Sequence, residues 1–276
     1  MMKRLPPFLI AAVLAFGLWP SLSPLTRAAS VLNQTTDHSN TVLVANRLGR
    51  YGFRRFRVRA SRYRRNGSAR GTCPREDNFV PVVPVIEDSS ETTASASDSN
   101  NPPVAAYSTA SAQPTFFVKF PQMPPTQGTL FVENADASLP RSQRQLYKVE
   151  FSLPGSAGIV GIRVPTDAPA LQAGTTYLWR LSIYCVAGST RDVVLLRGGV
   201  VERVPSVTGS ADQRLAQYIE QEIWQDLLMT IAEDRYAATN RSTIEAEWQN
   251  LMTGAGLPEE LRNTPIVAIL DARLVE

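Results

Sequence analysis

From Pro114 onward the chain alternates apolar and polar side chains in short runs, the period-two pattern of strands that bury one face. Phe116, Val118 and Phe120 make the first run and Leu130 and Val132 the next. Tyr147, Val149, Phe151 and Leu153 follow, then Val160, Ile162 and Val164 after a Pro154-Gly155 turn. The clearest run is Thr175 to Val186. There Tyr177, Trp179, Leu181, Ile183 and Cys185 share one face, while Leu178, Arg180, Ser182 and Tyr184 share the other. Asp192 to Val204 is a further β segment, with Gly198-Gly199 marking a bulge or a bend. Counting Phe79 to Ile86, seven short strands separated by turn residues predict a mainly β fold, an antiparallel β-sandwich of the immunoglobulin-like or jelly-roll sort.

After Val207 the period changes from two to about four. Ser210 is a candidate N-cap with Gln213 three residues later, and Leu215, Ile219, Ile223, Leu227 and Ile231 fall on one helical face that Trp224 and Leu228 widen. A second helix is signalled by Ser242 with Glu245 as a capping box, by Ile244, Trp248 and Leu251 on one side, and by Gly254 as a stop. The sandwich is thus expected over 71–207, followed by a helical hairpin in a tail, 208–276, packed on it. Residues 87–113 are rich in Ser, Thr, Asp, Asn and Ala and poor in large apolar side chains, so they read as a flexible loop within the sandwich. Residues 29–70 read as a mobile lead-in followed by an arginine-rich arm, part of which has the pattern of an edge strand.

The first 28 residues differ from everything after them. Lys3 and Arg4, an apolar run from Phe8 to Trp19, and small residues near Thr26-Arg27-Ala28 make a signal peptide cut after Ala28. The run is short of the roughly 20 residues that span a bilayer, and Pro20 and Pro24 prevent its extension. No later segment reads as a membrane span, so the expected destination is outside the cytoplasm: periplasm, outer surface or medium.

Removing that leader changes the charge picture, because the formal net charge of +3 comes from Lys3, Arg4 and Arg27. The remainder is neutral by count but polarised: eleven arginines and no acid lie between Arg47 and Arg75, against 24 acidic and 14 basic residues beyond. Arg54, Arg55, Arg57, Arg59, Arg62, Arg64 and Arg65, with Phe53, Phe56, Val58 and Tyr63 among them, have the composition of a polyanion-binding segment. Two plainer readings compete. The stretch neutralises the acidic remainder of its own chain, or it is an edge strand whose charges prevent sheet-to-sheet association. Cys73 and Cys185 are the only cysteines, and in an oxidising compartment an even count favours a disulfide.

Several short segments occur in an order shared with one family: Arg70-Gly71-Thr72-Cys73-Pro74-Arg75, Pro114-Thr115-Phe116-Phe117, Gly158-Ile159-Val160, Tyr177-Leu178-Trp179-Arg180 with Cys185, and Ile223-Trp224-Gln225-Asp226-Leu227-Leu228. On these residues the chain resembles a cyanobacterial family of exported proteins, catalogued as domain of unknown function nine hundred and twenty-eight. The likeness covers roughly Arg70 to Leu257. It implies a cyanobacterial host and a location in the envelope or outside the cell, and it supplies no catalytic residues. The Ser/Asp loop before Pro114 looks like an insertion relative to the family.

The sequence is poor in catalytic signatures. Its one histidine, His38, lies far from any other candidate ligand, so a nucleophile system with a histidine base and an imidazole-based zinc site have no material. No phosphate-cradling glycine loop or dinucleotide fingerprint occurs, and no cofactor is expected. Carboxylate chemistry has candidates in Glu220, Glu222, Asp226, Glu233 and Asp234, whose helical placement fits a solvated face better. Trp179, Trp224 and Trp248 could stack sugars, but each falls on a predicted core face. The expected function is therefore a non-enzymatic exported interaction module that binds an envelope protein, a glycan or a polyanion, export arguing against nucleic acid. The alternative is a carboxylate-dependent hydrolase acting on a surface polysaccharide.

Overall fold

The computed structural model describes residues 47–56, 58–64, 67–86, 103–186, 188, 191–238 and 241–275. The expected signal peptide at 1–28, the lead-in at 29–46 and positions 87–102 of the expected loop lie outside the described residues. Along the chain come α1 (Arg47–Arg50), β1 (Arg59–Arg64), β2 (Gly67–Ala69), β3 (Val80–Pro81), β4 (Pro103–Thr109), β5 (Thr115–Phe120) and β6 (Thr126–Asn134). Next are α2 (Arg141–Arg144), β7 (Gln145–Leu153), β8 (Gly158–Arg163), β9 (Thr176–Tyr184) and β10 (Val193–Arg203). The C-terminal part holds α3 (Ala211–Glu220), α4 (Trp224–Ala237), α5 (Arg241–Gly254), α6 (Glu259–Asn263), β11 (Ile266–Asp271) and β12 (Arg273–Leu274).

Among the described residues the strands form two sheets. An eight-stranded sheet runs β1-β4-β10-β9-β6-β7-β12, with β2 also on β10, and a four-stranded sheet runs β11-β8-β5-β3. Both are mixed, which corrects the antiparallel expectation: β4 runs parallel to β10, and β11 parallel to β8. The period-two pattern that identifies a strand is the same in either orientation. Parallel pairing is permitted here because long connections separate the partners, as it requires. The sheets meet through Phe116 of β5 and Trp179 of β9, ring centroids 4.8 Å apart. Phe116, Val118, Leu130, Val132, Val149, Val160, Ile162, Leu181 and Ile183 are all buried, as the alternation predicts.

Three other expectations need correction. The C-terminal part of the expected loop, 103–109, is strand β4. Its small side chains suit a strand filed between neighbours, so a scarcity of large apolar residues did not mean disorder there. The tail is not wholly helical either, since β11 joins the small sheet and β12 the large one. Nor is its first helix continuous. Ser210 does form the capping box with Gln213, but α3 stops at Glu220 and α4 begins at Trp224. Ile223 N donates to Tyr218 O and Glu222 N to Ile219 O, the paired bonds of a Schellman cap with Glu222 at φ 55°. Ser108 Oγ then donates to the Glu222 carbonyl and holds the turn. Helix α5 starts at Arg241, which puts Ser242 inside it, and the Glu245 carboxylate takes the Arg235 guanidinium. Gly254 ends α5 as expected.

Cys73 and Cys185 stand at disulfide distance, their sulfurs 2.05 Å apart, and they join the segment after β2 to the end of β9. Replacing both with alanine should lower unfolding free energy by about 2–5 kcal/mol, and peptide mapping without reductant should show the two joined. Two freely alkylated thiols in the native protein would contradict this. Trp224 is fully buried, with its ring edge-on to Phe56 at 5.0 Å and its Nε1 donating to Val82 O. In urea melts Trp224→Ala should therefore cost about 3–5 kcal/mol.

Candidate functional site

The arginine-rich stretch is anchored to the fold by the aromatics that interrupt it. Leu48 and Phe56 are buried, Phe53 packs on Phe56, and Phe56 N donates to Gly254 O. Arg47 is consumed by folding: its Nε and Nη2 reach Glu247, whose side chain is wholly buried, and Nη2 also reaches Asp234 at 2.6 Å. Arg54 and Arg55 are exposed between α1 and β1. Arg59, also exposed, opens β1 opposite Ala106. Arg62 and Arg64 lie in β1, but their side chains, like Arg57 and Arg65, are outside the described residues. The stretch is thus part edge strand and part internal counter-charge, and it places Arg59 at the margin of the large sheet.

The outward face of that sheet gathers cations that are far apart in sequence. In register across β7, β6, β9 and β10 stand Lys148, Phe131, Arg180 and Arg197, on strands about 4.8 Å apart. The Arg180 guanidinium lies 3.9 Å from the Phe131 ring centre and pairs with Glu133 at 2.8 Å, leaving its side chain 38% exposed. Lys148 is paired with Glu150 at 3.4 Å. Arg180 and Arg197 are direct cross-strand partners, and like charges in that relation destabilise a sheet.

Two hollows adjoin this pair. One, about 360 Å3, is lined by Arg180, Arg197, Ser68 and Leu195. The other, about 550 Å3, has Ala106 and Val200 among its apolar lining, Tyr63 as an aromatic wall, and Asn134, Asp136 and Thr175 as polar groups. The Arg197 guanidinium, 6.0 Å from the Tyr63 ring centre, links the two. Tyr63 Oη donates to Ala135 O and so is fixed in place. Small apolar side chains, one aromatic ring and neighbouring amide and hydroxyl groups suit a sugar ring, and the arginine pair beside them suits an acid group.

The other candidates are mostly structural. Trp179, Trp224 and Trp248 are wholly buried, which removes them as sugar platforms. Glu233 pairs with Arg163, Asp234 with Arg47, and Glu220 is exposed on α3. Asp226, in the first turn of α4, ties that helix to the end of β4: its Oδ2 accepts from Thr109 Oγ1 at 2.8 Å and Ala110 N at 2.7 Å. Burial raises its carboxyl above the usual range, against the pull of those hydrogen bonds and of the Arg203 charge. Among the described residues no group of three His, Cys, Asp or Glu could hold a metal ion, and no helix is long and apolar enough to cross a membrane.

Sequence reasoning placed Arg180 on the polar face of its strand, but missed Arg197 and Lys148 as its neighbours. Their meeting is set by register across four strands, for which local alternation carries no signal. The family described as Domain of Unknown Function (DUF928) matches residues 65–266, a span that includes Lys148, Arg180 and Arg197 and begins at the end of the arginine-rich stretch. No curated protein and no solved structure matches the chain.

The raised Asp226 carboxyl sets a pH dependence. The folded chain holds this proton more tightly than the unfolded one, so its contribution to stability is full in acid and is lost as pH rises through the folded value. Asp226→Asn keeps an oxygen for Thr109 and Ala110 without the buried charge. In urea melts its stability relative to the parent should rise from pH about 4 and level off towards neutrality. Asp226→Ala should be less stable throughout, by about 1–3 kcal/mol. An asparagine variant weaker than the parent at neutral pH would reverse the assignment.

Proposed function

The chain belongs to the Domain of Unknown Function (DUF928) family, and we propose that it is a non-enzymatic binding module of the cell envelope or extracellular space that holds an acidic polysaccharide across the outward face of its large sheet. One observation carries this reading: Arg180 and Arg197 stand directly opposite each other on that face, beside a cleft with an aromatic wall. An anionic group placed between guanidinium groups on neighbouring strands would meet both of them at once. Sugar rings then rest against Tyr63 while uronate or sulfate groups meet the guanidinium pair, with Arg59 extending the basic margin. Export is supported by the leader-like first 28 residues and by cysteines at disulfide distance. The hydrolase reading needs two facing carboxylates, and each of the three cavities described offers at most one, Asp136 or Asp226.

The test is affinity electrophoresis and calorimetry with polygalacturonate, dextran sulfate and neutral dextran. Binding to the two acidic polymers should weaken as salt rises, because the exposed charges are screened over about 8 Å at physiological ionic strength. Neutral dextran should not be retained. The double change Arg180→Gln/Arg197→Gln should abolish retention while circular dichroism shows the fold retained. Arg54→Gln/Arg55→Gln should have a smaller effect. Retention that survives the double change in a folded protein would count against this site.

A further inference from the structure

A second cavity, of about 340 Å3, opens where the ends of β4, β5 and β8 meet α3 and α4. Gln225 and Asp226 line it from α4, Tyr218 from α3, and Thr166 stands exposed at its margin. Its polar groups are pinned. Gln225 Nε2 donates to Thr115 O, Gln113 Nε2 to Ala168 O, and Thr230 Oγ1 to the Asp226 carbonyl. Each glutamine retains a carbonyl oxygen and one amide hydrogen. On a straight helix Tyr218, Gln225 and Met229 would form one flat stripe, whereas with the turn at Glu222 they line a cavity. That turn places a non-glycine residue in a left-handed conformation, a strain that tends to mark functional sites.

We infer that this crevice is a second binding site, for a neutral, hydroxyl-rich ring of pyranose size. The volume suits one ring. The charges around it are already matched: Arg163 is held by Glu233 at 2.9 Å and Asp271 at 2.7 Å, and Asp226 accepts from Thr109 and Ala110. An anion would have to compete with Glu233 and Asp271 for Arg163. Hydroxyl groups would not, because threonine hydroxyls and pinned amides donate and accept alike, and Tyr218 and Met229 provide apolar surface for the face of a sugar ring. The crevice thus differs in kind from the arginine face, and its binding is insensitive to salt.

The probes are glucose, glucuronate and glucosamine, titrated into the isotopically labelled protein with its cysteine pair oxidised and followed by amide chemical shifts. Glucose should move the amides of Ser111, Gln113, Thr166 and Thr230, equally at low and high salt. Thr166→Trp, at an exposed position, should fill the entrance and abolish the shifts at an unchanged thermal midpoint. Tyr218→Ala should weaken binding by about tenfold. Arg180→Gln/Arg197→Gln should leave the shifts intact, which separates failure here from failure at the sheet face. Absence of shifts with glucose, stronger binding of glucuronate or glucosamine, or shifts that persist in Thr166→Trp would overturn the inference.

Discussion

Trp179 lies wholly buried in the middle of β9, its Nε1 donating to Tyr107 Oη at 2.6 Å and its ring against Phe116 of the small sheet. It therefore touches both sheets at once, and its one polar atom is satisfied from β4. On its own sheet it needs room that only a missing side chain can give. A Cβ on Gly198 would lie 2.1 Å from the indole, so β10 must bulge there on a glycine. Because a strand's side chains alternate, the extra residue resets which of them face outward. Arg197 before the bulge meets Arg180, and Val200 after it meets Leu178. The bulge also divides the edge of β10, with β2 antiparallel on Val194–Leu196 and β4 parallel from Val200 onward. The bulge that makes room for this tryptophan thus coincides with the change of neighbour along β10 and with which residues of β10 are displayed outside.

The arginine-rich stretch shows how one compositional feature can be divided among roles. Glu247 is a carboxylate with no exposure, which is tolerable only because Arg47 meets it with side chain and backbone. That clamp ties the start of the described chain to α4 and α5, and Phe56 on Trp224 reinforces it. Farther on, Arg59 to Arg64 form the edge strand of the large sheet, which opens on the exposed Arg59. Arg47 thus serves as an internal counter-charge while Arg59 to Arg64 lie in an edge strand, so the net charge of the segment was a poor guide to any single role.

Alternation and capping made much of the fold legible: the runs around Phe116, Leu130, Val149, Ile162 and Trp179 are strands, and Ser210 with Gln213 caps α3. What was illegible depended on partners. β4 carries the small Val104, Ala105 and Ala106 ahead of its one large side chain, Tyr107, and its place between β1 and β10 was not legible from that composition. The Schellman turn at Glu222 lacks the glycine that usually announces one, and its stability comes from Ser108, more than a hundred residues away in sequence. The Lys148–Phe131–Arg180–Arg197 row exists only once four strands are in register.

Arg180 and Arg197 face each other across β9 and β10 on the outward side of the large sheet. At Arg180 the chain limits the cost: Phe131 supports the guanidinium from below and Glu133 balances its charge. Replacing Arg180 would remove that ion pair and ring contact along with the like charge opposite Arg197. A sheet built for stability alone would place a carboxylate opposite Arg180, as it does beside it at Glu133. Arg197, its guanidinium 6.0 Å from the Tyr63 ring centre, brings the second cation of the row to the margin of the cleft.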